Sequence, residues 1–239
     1  FKINSAKDDA AGYAVYTGME AKVSGYDIIE TNAQMGLDML TTQEGVLDII
    51  NDYLQRIRDL TMQAANGTYG SASLNAIALE VTQRMDEINR LCDITDFNDT
   101  HLLDGSRTTD INLQVGLYSD RRCVIKMDSF LFASAKSSMI FGFSTSSPIS
   151  GMDFTSSASE DDKHSYQAPD GKWYSNELSY QMIKDGLTAA GGNVNNVSLT
   201  ALCNSIYKND STARSFIDQI DDAINNISLR CTKIGAYMN

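Results

Sequence analysis

Apolar residues recur at helical spacing along three stretches of the chain. The first pattern runs from about Gly25 to Ala65, and its clearest part is Val46, Ile50, Tyr53, Ile57, Leu60 and Ala64. Those steps of four and three are a heptad seam. A helix of about 33 residues there would be roughly 50 Å long, a rod that needs other rods beside it. "NGTYGSAS" then breaks the pattern, with Ser71 or Ser73 available as an N-cap. A second seam follows through Leu74, Ile77, Val81, Met85, Ile88 and Cys92. The third lies at the far end, through Phe216, Ile220, Ile224, Ile227, Cys231, Ile234 and Met238. Two early seams and one last seam predict a bundle in which the C-terminal helix returns onto the N-terminal half.

Between the seams the period changes. Residues 111 to 128 read as two short strands around a turn at Tyr118 to Arg121. From 129 to about 195 no clear period survives, and the stretch is rich in Ser, Gly and Asp. The expected organisation is residues 1–128 as the N-terminal half of a helical rod with its hairpin, 129–195 as an insert, and 196–239 as the closing helix. The fold class is mainly α. It is an elongated bundle of two N-terminal helices and one C-terminal helix with a β-hairpin, plus a small irregular or α+β lobe.

Composition narrows the function. A net charge of −12 over 239 residues argues against nucleic acid or an anionic membrane as the main partner, since both reward clustered bases. The longest apolar run, "FLFASAKSSMIFGF", is too short for a membrane span and contains Lys136. The chain begins at Phe1 without a signal-peptide pattern and stops inside a periodic segment, so it reads as a fragment of something longer. Cys92, Cys123, Cys203 and Cys231 lack the spacing of a zinc site. Buried free thiols are the favoured reading, with Cys92–Cys231 and Cys123–Cys203 bridges left open. His101 and His164 are the only histidines, and neither has a second within five residues. No HExxH, P-loop, G-x-S-x-G or G-x-G-x-x-G pattern occurs. No catalytic residue, metal site or cofactor is expected, and "SEDDKH" (Ser159 to His164) reads as a solvated acidic loop.

Arg56 and Arg58 remain as an oddity in this acidic chain. Helical residues two apart point to different faces. Both arginines flank the seam at Ile57 and point outward, where the plain expectation is surface pairing with Asp52, Asp59 or Glu80.

Five runs then converge: "KINSAKDDAAG" (Lys2 to Gly12), "LQRIRDLTMQAANGT" (Leu54 to Thr68), "FNDTHLLDG" (Phe97 to Gly105), "LQVG" (Leu113 to Gly116) and "IGAYMN" (Ile234 to Asn239). In this order they resemble bacterial flagellin, over about residues 1 to 126 and 205 to 239. The resemblance implies a rod domain with an outward-facing variable insert, lacking the terminal segments that line the filament channel. It implies a structural subunit that self-assembles with other flagellin subunits for motility, extracellular and exported without a cleaved signal peptide. It also implies that this trimmed chain is monomeric alone. A second implied partner is the flagellin-sensing Toll-like receptor of innate immunity. The positions matching the receptor and filament contact are Gln55, Arg56, Arg58, Leu60, Gln63, Glu80 and Arg84. The core seam then comprises Val46, Ile50, Tyr53, Ile57, Val81, Ile88, Ile220, Ile227 and Ile234. The chain departs from the family in having four cysteines, in Cys231 standing where Arg is common, and in Tyr237 and Met238 near the end. Alternatives are a hook–filament junction protein of the same family, or a surface adhesin using Tyr166, Trp173 and Tyr174 to stack on glycans. A metalloprotease insert is disfavoured by the missing HExxH.

Overall fold

The computed structural model of the chain describes residues 9–141, 166–167, 173–174 and 198–239. Helix α1 spans Ala10–Ala64, 55 residues, and is about 80 Å long. It starts well before the pattern predicted, because the Asp9 carboxylate caps it by accepting from the backbone N–H groups of Ala11 and Gly12. No proline interrupts it. Its first fifteen residues escaped the periodic reading, and the rest of its first half shows no clear seam, for a physical reason. Val15, Tyr16, Met19, Val23, Tyr26 and Ile28 are all more than half exposed, so no buried stripe marks that half.

Helix α2, Ser71–Ile94, folds back on α1 after a short turn. Its N-cap is Gly70, with no side-chain cap, not Ser71 or Ser73. A two-residue turn at Asn98 and Asp99, both at positive φ, joins strands β1 (Asp96–Phe97) and β2 (Thr100–His101). Strands β3 (Ile111–Gln114) and β4 (Val124–Met127) pair antiparallel, with Ile111 opposite Met127 and Gln114 opposite Val124. This is the expected hairpin, and a 3-10 turn at Arg121–Cys123 leads into its second strand.

Residues 129–141 do not belong to a separate insert. A 3-10 turn at Ser129–Phe132 and helix α3, Ser137–Ile140, send Leu131, Phe132, Ala135, Ile140 and Phe141 into the same core as the long helices. Strands β5 (Tyr166–Gln167) and β6 (Trp173–Tyr174) pair antiparallel. The rest of the expected insert lies outside the described residues.

The chain closes with two helices where one was expected, α4 (Leu199–Ile206) and α5 (Asp210–Met238). The break comes where Asn209 and Thr212 form a capping box that starts α5 afresh. Helix α4 packs on α2, with the Cys203 thiol 3.8 Å from the Met85 sulfur. Helix α5 runs antiparallel to α1: Arg214 reaches the Ala65 carbonyl, Arg58 pairs with Asp221, and Cys231 lies beside Asp48.

The buried stripes lie on the helices where the seams were expected, with their centres shifted. On α1, Val46 and Tyr53 are only partly buried, while Leu47 and Leu54 are fully enclosed with Ile50 and Ile57. The buried stripe reads Met39, Leu40, Gln43, Leu47, Ile50, Leu54, Ile57, Leu60, Thr61, Ala64. On α5 it reads Ala213, Phe216, Ile220, Ala223, Ile227, Arg230, Ile234, leaving Ile224 and Cys231 at its margin. A helix covered by neighbours on two sides buries a wider face than a two-residue heptad seam. On α2 every predicted position, including Val81 and Ile88, is buried.

Polar groups inside these stripes tie the loops to the helices. The Gln43 amide donates to the Leu131 carbonyl at 2.5 Å. The Thr61 and Tyr207 hydroxyls share a 2.5 Å hydrogen bond, and Tyr207 and Phe141 both lie against Phe216. Arg230, 3% exposed, donates to the carbonyls of Ala133 and Ser134 at 2.6 and 3.1 Å. Its guanidinium also lies 5.4 Å from the centre of the Phe130 ring. All four cysteines are free, Cys92 and Cys203 buried, Cys123 and Cys231 partly so. Burial pushes the Cys92 thiol up to about 12 and Cys203 to about 11, which suits packing and not reactivity.

The displaced seam makes a quantitative prediction. Leu54→Ala should cost about 2–5 kcal/mol of unfolding free energy, and Val46→Ala under about 1.5 kcal/mol. Urea denaturation followed by circular dichroism checks this, and the order would reverse if the original seam were the true centre.

Candidate functional site

The outer faces of α1 and α2 carry a cluster of charges whose positions follow from helix geometry. Ile57 and Leu54 point into the core, so Arg56 is turned out toward α2 and Arg58 toward α5. Arg56 donates through Nε and Nη2 to Glu80 Oε1 at 3.2 and 3.1 Å. Arg84, one turn along α2, donates to the same oxygen at 3.3 and 2.9 Å. Its guanidinium also sits 6.0 Å from the centre of the Tyr53 ring. Two cations therefore converge on one carboxylate. The Arg84 hydrogen bond, with Arg56 beside it, holds the Glu80 carboxyl below the ordinary glutamate range.

Arg58 makes a forked pair with Asp221 of α5, 2.6 Å from Nε to Oδ1 and 3.4 Å from Nη2 to Oδ2. Its Nη1 lies 3.3 Å from the Met62 sulfur. Two arginines two residues apart thus bind α1 to two different neighbours. Glu80 was among the expected partners, but Asp221 was not, because it lies 163 residues away. Matching the first and third seams antiparallel is the signal that would have found it. Tyr53 and Met62 were likewise missed as neighbours of the arginines.

Gln55 and Gln63 are exposed on the same helix. Leu60 is a correction: at 3% exposure it belongs to the core, so it cannot contribute to an outward contact surface. The described residues hold no group of three or more His, Cys, Asp or Glu side chains that could hold a metal ion. No helix among them is long and apolar enough to cross a membrane. "SEDDKH" lies outside the described residues.

The lowered Glu80 value fixes the sign of a pH effect. The cluster's contribution is complete above the ordinary glutamate range and is lost as pH falls through the lowered value. A carboxyl-carbon NMR titration should give Glu80 a midpoint below that of an ordinary glutamate, and Arg84→Gln should bring it back up. An ordinary midpoint in the parent protein would mean the converging bonds do not persist in solution.

Residues 1–108 match the family model described as the bacterial flagellin N-terminal helical region. The chain is 43% identical over 126 residues to a flagellin of Xenorhabdus nematophila, which covers 53% of this chain and 40% of that one. It is 44% identical over 115 residues to a flagellin of Serratia marcescens, covering 48% of this chain and 32% of that one. The matched part thus spans less than half the length of these relatives. Among solved structures, Bacillus cereus flagellin superposes with a TM-score of 0.52 at 20% identity, covering 87% of this chain and 82% of that one. FliC from Burkholderia pseudomallei gives a TM-score of 0.53 at 19% identity, covering 85% and 99%. At that identity the likeness speaks to the fold, while the residue match carries the kinship: residues 1–108, a little under half of the chain, are similar to the bacterial flagellin N-terminal helical region.

Proposed function

We propose that the chain is the rod-domain part of a structural subunit of the bacterial flagellar filament, without catalytic activity, which assembles with other copies outside the cell. The observation that supports this most directly is the match of residues 1–108 to the flagellin N-terminal helical region, on a rod whose outer faces stay available for packing. Antibodies raised against the purified 239-residue chain should decorate the flagellar filaments of cells that express it in immunogold electron micrographs. Label confined to the hook–filament junction would favour the junction-protein alternative. Label absent from filaments would overturn the assignment.

A finer reading concerns the charged cluster. We propose that the flagellin-sensing Toll-like receptor binds this face, with Arg56 at its centre and Gln55, Arg58, Gln63, Glu80 and Arg84 around it. Arg56 is 44% exposed at its side chain and already oriented by Glu80, so little conformational freedom is lost when a partner docks. Leu60 is left out of this surface on account of its burial. In binding measurements with the receptor ectodomain, Arg56→Ala should weaken affinity by roughly thirtyfold, as removal of a central interface arginine typically does. Its thermal midpoint should barely move, because exposed ion pairs contribute little to stability. Arg122→Ala, on a side chain that is 91% exposed, should bind like the parent. Equal binding by Arg56→Ala, or no binding by the parent, would remove the receptor from the proposal.

A further inference from the structure

We infer that the β3–β4 hairpin is a clasp that holds the first half of α1 in place, with Gly25 and Gly36 as its seats and Leu117 and Leu113 as the studs that fill them. The long-helix partners of α1 serve only its second half. Arg56 to Glu80 sets the level of α2, and Asp48 beside Cys231 puts the end of α5 close to the level of Leu40. Before that point, residues of the hairpin and of the turn within it lie against α1. Leu113 lies over Gly36, Leu117 lies over Gly25, and the Asn32 amide donates to the Gln114 carbonyl at 3.2 Å.

The seats are specific. A methyl group added at Gly36 would stand 2.5 Å from Leu113 Cδ2 and 3.4 Å from Cδ1, and one added at Gly25 would collide with Leu117 Cδ2. At Gly18 and Gly45, on the same helix, an added methyl would meet nothing within 4 Å. Glycine inside a helix is otherwise destabilising relative to alanine. At Gly25 and Gly36 the absence of a side chain instead lets leucine tips approach the helix backbone. The two seats are eleven residues apart, close to three helical turns, so both open toward the same side.

The consequence is mechanical. Over this half α1 is flanked by exposed apolar residues and has few buried contacts, so an unclasped helix there would fray. Seating the hairpin couples the order of residues 10–36 to that of residues 111–127. The hairpin is in turn fixed to the main core by the fully buried Met127, and the turn after it by Lys233 pairing with Asp128 at 3.2 Å.

Amide hydrogen exchange on the full 239-residue chain tests the clasp. Gly36→Leu fills a seat, and should lower protection tenfold or more in both residues 20–36 and residues 111–127 while leaving 47–61 unchanged. Gly45→Leu, placed on open surface, should change none of the three segments. Leu113→Ala is the milder variant, removing a stud without touching α1, and should lower protection in residues 20–36 as well. If Leu113→Ala loosened the hairpin but left residues 20–36 as protected as before, the clasp would be refuted. Unchanged protection in Gly36→Leu would refute it too, as would equal losses in all three segments.

Discussion

Helix α1 buries one wide face between Leu40 and Ala64, and two helices from opposite ends of the chain must cover it together. α2 is local and arrives after a short turn. α5 comes from beyond residue 209, antiparallel, and supplies Phe216, Ile220 and Ile227 to the same cluster. Each fully buried large aliphatic side chain contributes about 1.5–3 kcal/mol relative to exposure, so this shared face outweighs any surface pair on the rod. Bringing residues so distant in sequence together costs loop-closure entropy, but that cost rises only slowly with loop length. A long excursion between the two halves is therefore thermodynamically tolerable.

The surface chemistry follows from that face. Because Leu54 and Ile57 must point inward, the residues between and beside them are directed at the flanking helices. Arg56 meets Glu80 on α2 and Arg58 meets Asp221 on α5. Arg230 plays a different part. No carboxylate among the described residues pairs with its buried side chain, which is held instead by two main-chain carbonyls and the Phe130 ring. Burial pulls its guanidinium below the ordinary arginine range. The arginine joins α5 to the loop after the hairpin, a contact that an apolar residue could not make.

Much of this was legible before the fold was known. The α2 stripe is legible because its buried positions are strongly apolar and α2 is long enough for the period to show. On α1 and α5 most expected positions are buried, while Val46, Tyr53, Ile224 and Cys231 sit at the margin; Gln43, Thr61 and Arg230 occupy buried positions that no hydrophobic pattern marks. Residues 10–24 of α1 were invisible to periodicity, since Val15, Tyr16, Met19 and Val23 face outward. Residues 129–141 were assigned to an insert because their buried residues lie on a 3-10 turn and one turn of helix, too short to show any period. At the charged cluster, Glu80 could be guessed from the neighbouring helix. Asp221 becomes legible only once the antiparallel register of α5 on α1 is matched. Leu60 was assigned both to the seam and to the outer surface, and only packing decided between them.

The central claim is that the second half of α1, α2 and α5 form one cooperative core despite their separation in sequence. Native-state hydrogen exchange measured through a series of sub-denaturing urea concentrations tests this most directly. The account predicts that the slowest amides of residues 47–61, 77–92 and 216–230 converge on a single opening free energy with the same urea dependence. An α5 that opens at markedly lower free energy than α1 and α2, with its own shallower urea dependence, would contradict it.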